Sequence, residues 1–224
     1  MIYLYSGTPG SGKSLHTARV VYYALRRGIP VIANFPINLD RVKGCKAEFV
    51  ERDNLSLTPE YLIQYSREYF SDRRVREGQL LLVIDECQLM FNARDWNVKG
   101  RDRWLSFFTQ HRKYGYDVIL IAQFDRMIDR QIRALIEYEQ IHRKVSNYGW
   151  KGKILSLFCL GNLFVAVKVW YPMKEKVGSE FFVASKKFYS LYDTFGMFGS
   201  VTGGGMGSPS GAEAETPELS PKGA

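Results

Sequence analysis

A glycine-rich segment ending in lysine and serine begins at residue 7. It is a complete G-x-x-x-x-G-K-S motif, made of Gly7, Thr8, Pro9, Gly10, Ser11, Gly12, Lys13 and Ser14. Glycines at this spacing let successive backbone N–H groups turn inward around phosphate oxygens, and a helix that begins at the loop adds the positive end of its dipole. We expect Lys13 to reach the β- and γ-phosphates, and the Ser14 hydroxyl to hold the Mg²⁺ that bridges them. The motif therefore predicts a site for a nucleoside triphosphate with Mg²⁺.

Two adjacent acids, Asp85 and Glu86, directly follow the aliphatic run Leu80–Ile84. A run without polar alternation predicts a strand that is buried on both faces, and ligands bind at the carboxyl ends of strands in open α/β sheets. We expect Asp85 to orient Mg²⁺ or one of its waters, and Glu86 to polarise the water that attacks the γ-phosphate. The acid pair favours hydrolysis over phosphoryl transfer to a small metabolite.

A further apolar run, 118–122, ends in Gln123. A side-chain amide both donates and accepts hydrogen bonds, so Gln123 is expected to sense the γ-phosphate or to position water. Phosphoryl transfer also gains from a guanidinium that neutralises developing charge, which a neighbouring subunit often supplies. Three arginines near elements that flank the expected site are candidates for this role: Arg112, Arg130 and Arg133.

Short aliphatic runs alternate with helical patterns through the first two thirds of the chain, which predicts a parallel sheet wound with helices. Strands are predicted at 2–5, 31–34, 80–84 and 118–122, and helices at 14–26, 58–70 and 104–113. From residue 138 the pattern changes to short strands, including 153–160 and 163–171 joined by a Gly161-Asn162 turn. The expected fold is an α/β P-loop NTPase with a mainly parallel sheet flanked by helices and a small antiparallel C-terminal extension.

Composition supports one folded domain with a tail. The chain has 224 residues, of which 46% are hydrophobic and 24% charged, and this excludes a wholly disordered or collagen-like protein. We expect residues 1–195 to form the domain and 196–224, rich in Gly, Ser, Pro and Glu, to form a flexible tail or linker. No signal peptide and no apolar stretch of about 20 residues is found, and the three cysteines and three histidines lack metal-site spacing.

The charge is positive and unevenly distributed. The net charge is +8, and because residues 201–224 carry −2, residues 1–200 carry +10. Such a field favours nucleic acid, anionic lipid or phosphate-bearing ligands, and the sequence does not choose among them.

The motifs together resemble the N-terminal domain of the zonula occludens toxin (Zot) family, which includes the gene I assembly proteins of filamentous bacteriophages. The resemblance rests on three segments and covers residues 1 to about 195. The segments are 3–14, Val83-Ile-Asp-Glu-Cys-Gln88 and His111-Arg-Lys-Tyr-Gly-Tyr-Asp-Val118. It implies an ATPase, using ATP and Mg²⁺, of the virion assembly and export machinery in the host cytoplasm at the cytoplasmic face of the inner membrane.

The resemblance also implies partners. It implies a homo-oligomer, expected as a ring because finger arginines often act in trans, together with phage coat and assembly proteins and single-stranded DNA. Members of the family usually continue through one membrane-spanning helix, so a missing segment or a partner would supply the membrane attachment. Two other functions stay open at this point: a cytosolic P-loop kinase of a small metabolite, and a nucleotide-binding nucleic-acid or scaffold module.

Overall fold

The computed structural model describes residues 1–94, 100–147, 150 and 162–191. The strands of this part are β1 (Ile2–Ser6), β2 (Val31–Ala33), β3 (Phe49–Glu51), β4 (Leu80–Ile84), β5 (Tyr116–Ile121), β6 (Tyr138–Lys144), β7 (Leu163–Trp170) and β8 (Glu175–Val183). They form one sheet in the order β3-β2-β4-β5-β1-β6-β7-β8. The first six strands of this order pair in parallel, and β6-β7-β8 pair antiparallel. This confirms the predicted mainly parallel sheet with an antiparallel extension.

The order of strands places β5 between β1 and β4. Leu4 of β1 pairs with Leu120 of β5, and Leu120 pairs in turn with Ile84 of β4. The carboxyl ends of these three strands therefore meet at one edge of the sheet, where the glycine-rich loop, Gln123 and the acid pair follow them. All three strands were predicted from their apolar runs, whereas their order was not.

The helices are α1 (Lys13–Arg26), α2 (Pro59–Tyr69), α3 (Arg101–Gln110), α4 (Arg130–Arg133) and α5 (Lys186–Tyr189). The side chain of Thr58 accepts a hydrogen bond from the Tyr61 N–H and caps α2, whose first residue is Pro59, as the sequence predicts. The third predicted helix, 104–113, begins three residues earlier than expected, at Arg101, and its last turn is a 3₁₀ turn over His111–Tyr114.

The sheet is covered on both faces. On one face α1 packs Val21 and Leu25 against Leu81 and Val83 of β4. On the other face α2 and α3 pack Leu62, Phe107 and Phe108 against a layer that contains Leu80, Leu82 and Ile84 of the same strand. Strand β4 is thus buried on both faces, because its side chains alternate between two apolar layers.

The antiparallel extension differs in part from the expected hairpin. Strand β7 pairs with β6 and β8, and neither β3 nor β8 was predicted as a strand. The predicted strand 153–160 and its turn at Gly161 lie outside the described residues, as does the predicted tail 196–224. In the part of the chain that the structure describes, no helix is long and apolar enough to cross a membrane.

Candidate nucleotide-binding site

The glycine-rich loop joins the carboxyl end of β1 to the first turn of α1. Gly7, Gly10 and Gly12 have positive φ angles of 142°, 73° and 95°, which side chains adopt only with strain. A Cβ atom at Gly7 would lie 2.5 Å from the His142 carbonyl oxygen, and one at Gly12 would lie 2.7 Å from a ring carbon of Phe164. At Gly7 and Gly12 the loop therefore requires glycine both for its backbone conformation and for its packing against β6 and β7. At Gly10 only the backbone conformation favours glycine, because no heavy atom lies within 4 Å of a Cβ built there.

Lys13 is folded back over the loop that precedes it. Its Nζ donates hydrogen bonds to the carbonyl oxygens of Gly7, at 2.6 Å, and Thr8, at 3.3 Å. Burial lowers the pKa of Lys13, and the nearby carboxylates of Glu86 and Asp85 act in the opposite direction. The lysine and the acid pair, 72 and 73 residues apart in sequence, are therefore close enough to interact electrostatically.

Asp85 is held through its backbone by a residue at the carboxyl end of β2. The Asn34 side-chain oxygen accepts a hydrogen bond from the Asp85 N–H at 2.6 Å, and the Asn34 amide nitrogen donates to the Asp85 carbonyl at 2.9 Å. The same nitrogen contacts Asn54 Oδ1 at 2.7 Å. Sequence reasoning missed Asn34 and Asn54; the one local signal was a polar residue directly after the apolar run of β2.

Glu86 adopts a left-handed backbone conformation, with φ of 45°, which is uncommon for a residue with a side chain. Its N–H donates to Asp85 Oδ1 at 2.8 Å, and its carboxylate accepts a hydrogen bond from the side-chain amide of Gln88. The carboxylate of Glu86 is exposed on the turn that follows β4. Gln88, like Asn34, was not among the predicted site residues.

Gln123 lies between the loop and the acid pair. Its carbonyl oxygen accepts a hydrogen bond from the Gly7 N–H at 3.1 Å, so the end of β5 is tied to the start of the loop. Gln123 lines a cavity of about 490 Å³ together with Ser6, Thr8 and His142. The geometry therefore brings together the loop, Lys13, Asp85, Glu86 and Gln123.

The three candidate arginines differ in their surroundings. Arg112 is at the amino-terminal edge of the sheet, where its guanidinium contacts Glu77 at 3.2 Å and Glu137 at 2.6 Å. Since the glycine-rich loop follows the carboxyl end of β1, Arg112 does not meet the site of its own chain. Arg130 is exposed on α4 and has no ion pair among the described residues, and Arg133 is half-buried on the same helix.

Helix α4 has a firm amino-terminal cap. Asp129 accepts hydrogen bonds from the N–H groups of Gln131 and Ile132 at 2.9 and 3.3 Å, and its other oxygen lies 2.6 Å from a guanidinium nitrogen of Arg101. The buried carboxylate thus fixes α4 against the first residue of α3. This arrangement sets the position from which Arg130 projects.

Two buried histidines connect α1 to β6 behind the loop. His142 Nδ1 lies 3.2 Å from the Ser6 carbonyl oxygen and its Nε2 lies 2.8 Å from His16 Nδ1. Since a carbonyl only accepts, His142 Nδ1 carries the hydrogen and His16 Nδ1 donates to His142. Burial, with the neighbouring Arg19, lowers the pKa of His16 to about 4, and burial, with the neighbouring His16, lowers that of His142 to about 3. The pair is neutral at physiological pH.

The residues at this edge fit a magnesium nucleoside triphosphate. The loop and the first turn of α1 offer the N–H groups of a helix amino terminus, the ammonium group of Lys13 and the buried Ser11 hydroxyl, which has no hydrogen-bond partner among the described residues. For Mg²⁺, Ser14 and Asp85 offer one hydroxyl and one carboxylate, and the described residues contain no cluster of three or more His, Cys, Asp or Glu side chains suited to a metal. Mg²⁺ commonly keeps several waters and binds through one or two carboxylates and substrate phosphates, so this sparse ligand set is sufficient.

Comparisons with known proteins agree with this geometry. A family described as "Zonular occludens toxin (Zot)" matches residues 1–195. The chain is 29% identical over 215 residues to the Gene 1 protein of Enterobacteria phage I2-2, which covers 89% of this chain and 58% of that relative. The N-terminal domain of zonular occludens toxin from Neisseria meningitidis superposes with a TM-score of 0.53 at 16% identity, over 86% of this chain and 98% of that one. A DnaB-like replicative helicase superposes with a TM-score of 0.56 at 10% identity, over 84% of this chain and 57% of the helicase chain. The chain has the fold of a P-loop NTPase.

Proposed function

Because the chain belongs to the zonular occludens toxin family, we propose that it is a Mg²⁺-dependent ATPase motor that powers assembly and export of filamentous phage at the cytoplasmic face of the host inner membrane. The observation that carries the ATPase proposal is the meeting of the glycine-rich loop, Lys13 and the Asp85-Glu86 pair at one edge of the sheet, with Gln123 between them. The chain spans about three fifths of the length of the Gene 1 protein that it matches, so the activity of a whole protein of that size is part of the proposal.

The residues divide the chemistry among them. Bound ATP would bring Mg²⁺ to neutralise charge on the β- and γ-phosphates. Lys13 would exchange its contacts with Gly7 and Thr8 for phosphate oxygens, and Ser14 and Asp85 would hold the cation. Glu86 accepts the proton of the attacking water, since its exposed carboxylate projects from the turn after β4. Gln123 positions that water or reports the γ-phosphate through its link to Gly7.

We further propose that the protein acts as a homo-oligomeric ring in which an arginine completes the site of a neighbour. Arg130 suits this role best of the three candidates, because it is exposed and free of ion pairs among the described residues. Arg112 is held by two carboxylates, and Arg133 is half-buried. Partners expected for such a motor are phage coat and assembly proteins, single-stranded DNA, and the membrane through a further segment or a partner.

The test is ATP hydrolysis as a function of protein concentration, with and without Mg²⁺ and single-stranded DNA. We expect the specific activity to rise with protein concentration, because sites shared between subunits form. Hydrolysis should stop when Mg²⁺ is chelated. Glu86→Gln should bind ATP and lower turnover at least about 100-fold, the usual contribution of a general base. Glu68→Gln is the matched control, because it makes the same exchange at an exposed position of α2, and it should change neither ATP binding nor the rate of turnover.

Three results would contradict parts of the proposed ATPase function. Hydrolysis retained by Glu86→Gln removes that residue from its role. Phosphate transferred from ATP to a small-molecule acceptor instead of water would show a kinase. A nucleotide that binds but never turns over in the assembled oligomer would show a scaffold module.

A further inference from the structure

We propose that one face of the domain binds an anionic lipid surface directly. The face, which we call the basic face, is formed by the carboxyl-terminal turn of α1, the loop 38–46 and α5. It carries seven exposed cationic side chains: Arg26, Arg27, Arg41, Lys43, Lys46, Lys186 and Lys187. This contact concerns the location of the proposed motor and is independent of ATP hydrolysis.

The three segments of the basic face are in contact with one another. The rings of Tyr22 and Tyr23 in α1 lie 5.6 and 6.2 Å from the ring of Phe188 in α5. The Lys46 N–H donates to the Leu25 carbonyl of α1 at 2.9 Å, which attaches the loop to the helix. The Asn38 N–H donates to the carbonyl of Leu191 at 3.0 Å, just after α5. The seven cations therefore belong to one continuous surface.

The cations of this face are not neutralised by carboxylates. None of the seven forms an ion pair among the described residues, and Asp40 is the exposed acid within the loop. Glu48, two residues after Lys46, accepts a hydrogen bond from Tyr65 of α2. Some cations elsewhere are paired, as Arg19 is with Glu180 at 2.7 Å. Part of the positive charge predicted for the body of the chain thus lies on this face without a carboxylate partner among the described residues.

Amphipathic side chains lie among these charges. Tyr23 is 43% exposed, Leu39 44% and Tyr189 55%. Tyrosine is enriched at membrane–water interfaces, and juxtamembrane lysine and arginine side chains are attracted to anionic headgroups. Exposed apolar groups beside cations without carboxylate partners are typical of a surface that binds an anionic membrane.

The same chemistry fits single-stranded DNA less well. Stacking of successive bases needs a row of free aromatic faces, but of the four rings in these segments Tyr22 is buried, Phe188 is half-buried, and Tyr23 and Tyr189 are exposed. The face also lies at the end of α1 opposite the glycine-rich loop, about 20 Å away along a helix of 14 residues. A surface that moves DNA should respond to the nucleotide, and this one is remote from it.

The first experiment compares binding of the full chain to vesicles of neutral lipid and to vesicles with about 30% phosphatidylglycerol. We expect binding only to the anionic vesicles, with strong weakening by salt. Lys43→Glu/Lys46→Glu/Lys186→Glu should lower vesicle affinity at least about tenfold, since each cation near the surface is worth about fivefold. The control Arg67→Glu/Arg74→Glu/Arg76→Glu makes the same net change on exposed residues in and after α2 and should keep the affinity.

Two results would overturn the proposal. One is anionic vesicle binding that the Lys43→Glu/Lys46→Glu/Lys186→Glu variant retains in full. The other is loss of oligonucleotide binding in that variant with vesicle binding intact, which would assign the face to nucleic acid. ATP hydrolysis without lipid, measured in parallel, should be equal in all three proteins. If all three proteins are inactive while vesicle binding is lost only in the Lys43→Glu/Lys46→Glu/Lys186→Glu variant, the result contradicts the ATPase and leaves the lipid contact standing.

A second readout does not need charge-reversed variants. Cys45 is exposed within the loop of the basic face, whereas Cys87 is buried and burial raises the pKa of its thiol. With Cys159→Ser, an environment-sensitive fluorophore on Cys45 should shift to the blue when anionic vesicles are added. An unchanged spectrum under conditions of vesicle binding would place the lipid contact on another face and overturn the proposal.

Discussion

The Asn34 side chain pairs with both backbone polar groups of Asp85, accepting from its N–H at 2.6 Å and donating to its carbonyl at 2.9 Å. Asn34 directly follows β2 and Asp85 directly follows β4, so two adjacent parallel strands are joined at the point where the acid pair begins. The contact fixes the backbone from which the carboxylates of Asp85 and Glu86 project. Asn34 is therefore expected to matter for turnover through its contacts with the Asp85 backbone.

We expect Asn34→Ala to lower kcat about 10- to 100-fold, the usual cost of removing a residue that orients a metal ligand. ATP affinity should change little, because the loop and Lys13 are untouched, while the Mg²⁺ concentration for half-maximal rate should rise. Asn54→Ala, which removes one contact of Asn34 but leaves its two bonds to Asp85, is the control. A normal Mg²⁺ dependence in Asn34→Ala would refute the positioning role.

The glycine at the start of α1 allows a paired test of conformation and packing. Gly12→Ala combines a φ of 95° with a Cβ 2.7 Å from Phe164, so it should abolish ATP binding and destabilise the domain by about 1–3 kcal/mol. Gly28→Ala has a φ of 81° but no heavy atom within 4 Å of its Cβ, so it should cost about 1 kcal/mol and preserve binding. Calorimetric ATP titration and urea unfolding measure the two quantities. Equal behaviour of the variants would mean that the contact with Phe164 is unimportant.

The histidine pair predicts an acid-sensitive domain. The pKa values of His16 and His142 fall from about 6.5 in the unfolded chain to about 4 and about 3 in the folded one. The unfolded state therefore binds more protons below pH 6.5, and stability falls as the pH falls from 6.5 towards 4. At pH 5 the loss should be about 2 kcal/mol for each histidine.

Urea unfolding at several pH values tests this expectation. His16→Gln/His142→Asn should be less stable at pH 7.5 and should show a shallower loss of stability between pH 6.5 and 5. Burial also lowers the pKa of His111, which is present in both proteins. The variant should therefore keep a smaller dependence of stability on pH. A variant whose stability falls with pH as steeply as that of the natural protein would show that the pair is not the source.

An arginine that acts on a neighbour should show complementation in mixed oligomers. Arg130→Ala and Glu86→Gln should each be inactive alone, and mixing them should restore activity where Arg130 of one subunit meets Glu86 of the other. Arg112→Ala should lose only exposed ion pairs, worth at most about 1 kcal/mol, and should need no partner. If mixing restores nothing although both proteins assemble, Arg130 does not serve a neighbouring site.

Much of the site could be predicted from the sequence because its parts are local. The G-x-x-x-x-G-K-S segment specifies its own loop, since glycine spacing and the helix after it depend on neighbouring residues. The apolar run before Asp85 likewise predicts a buried strand with acids at its end. The side chains of Asn34 and Gln88 could not be assigned this way, because an isolated polar residue after a strand or turn has many possible partners.

The sequence by itself therefore determined the loop, the acid pair, the strands that carry them and the family to which they point. Only the tertiary structure decided that β5 lies between β1 and β4, that Asn34 reaches Asp85 across 51 positions, and that His16 meets His142 across 126. It also gathered the scattered cations of α1, the loop 38–46 and α5 into one face. The physical reason is that strand order and contacts between distant residues follow from burying two apolar faces of a sheet at once, which no short segment encodes.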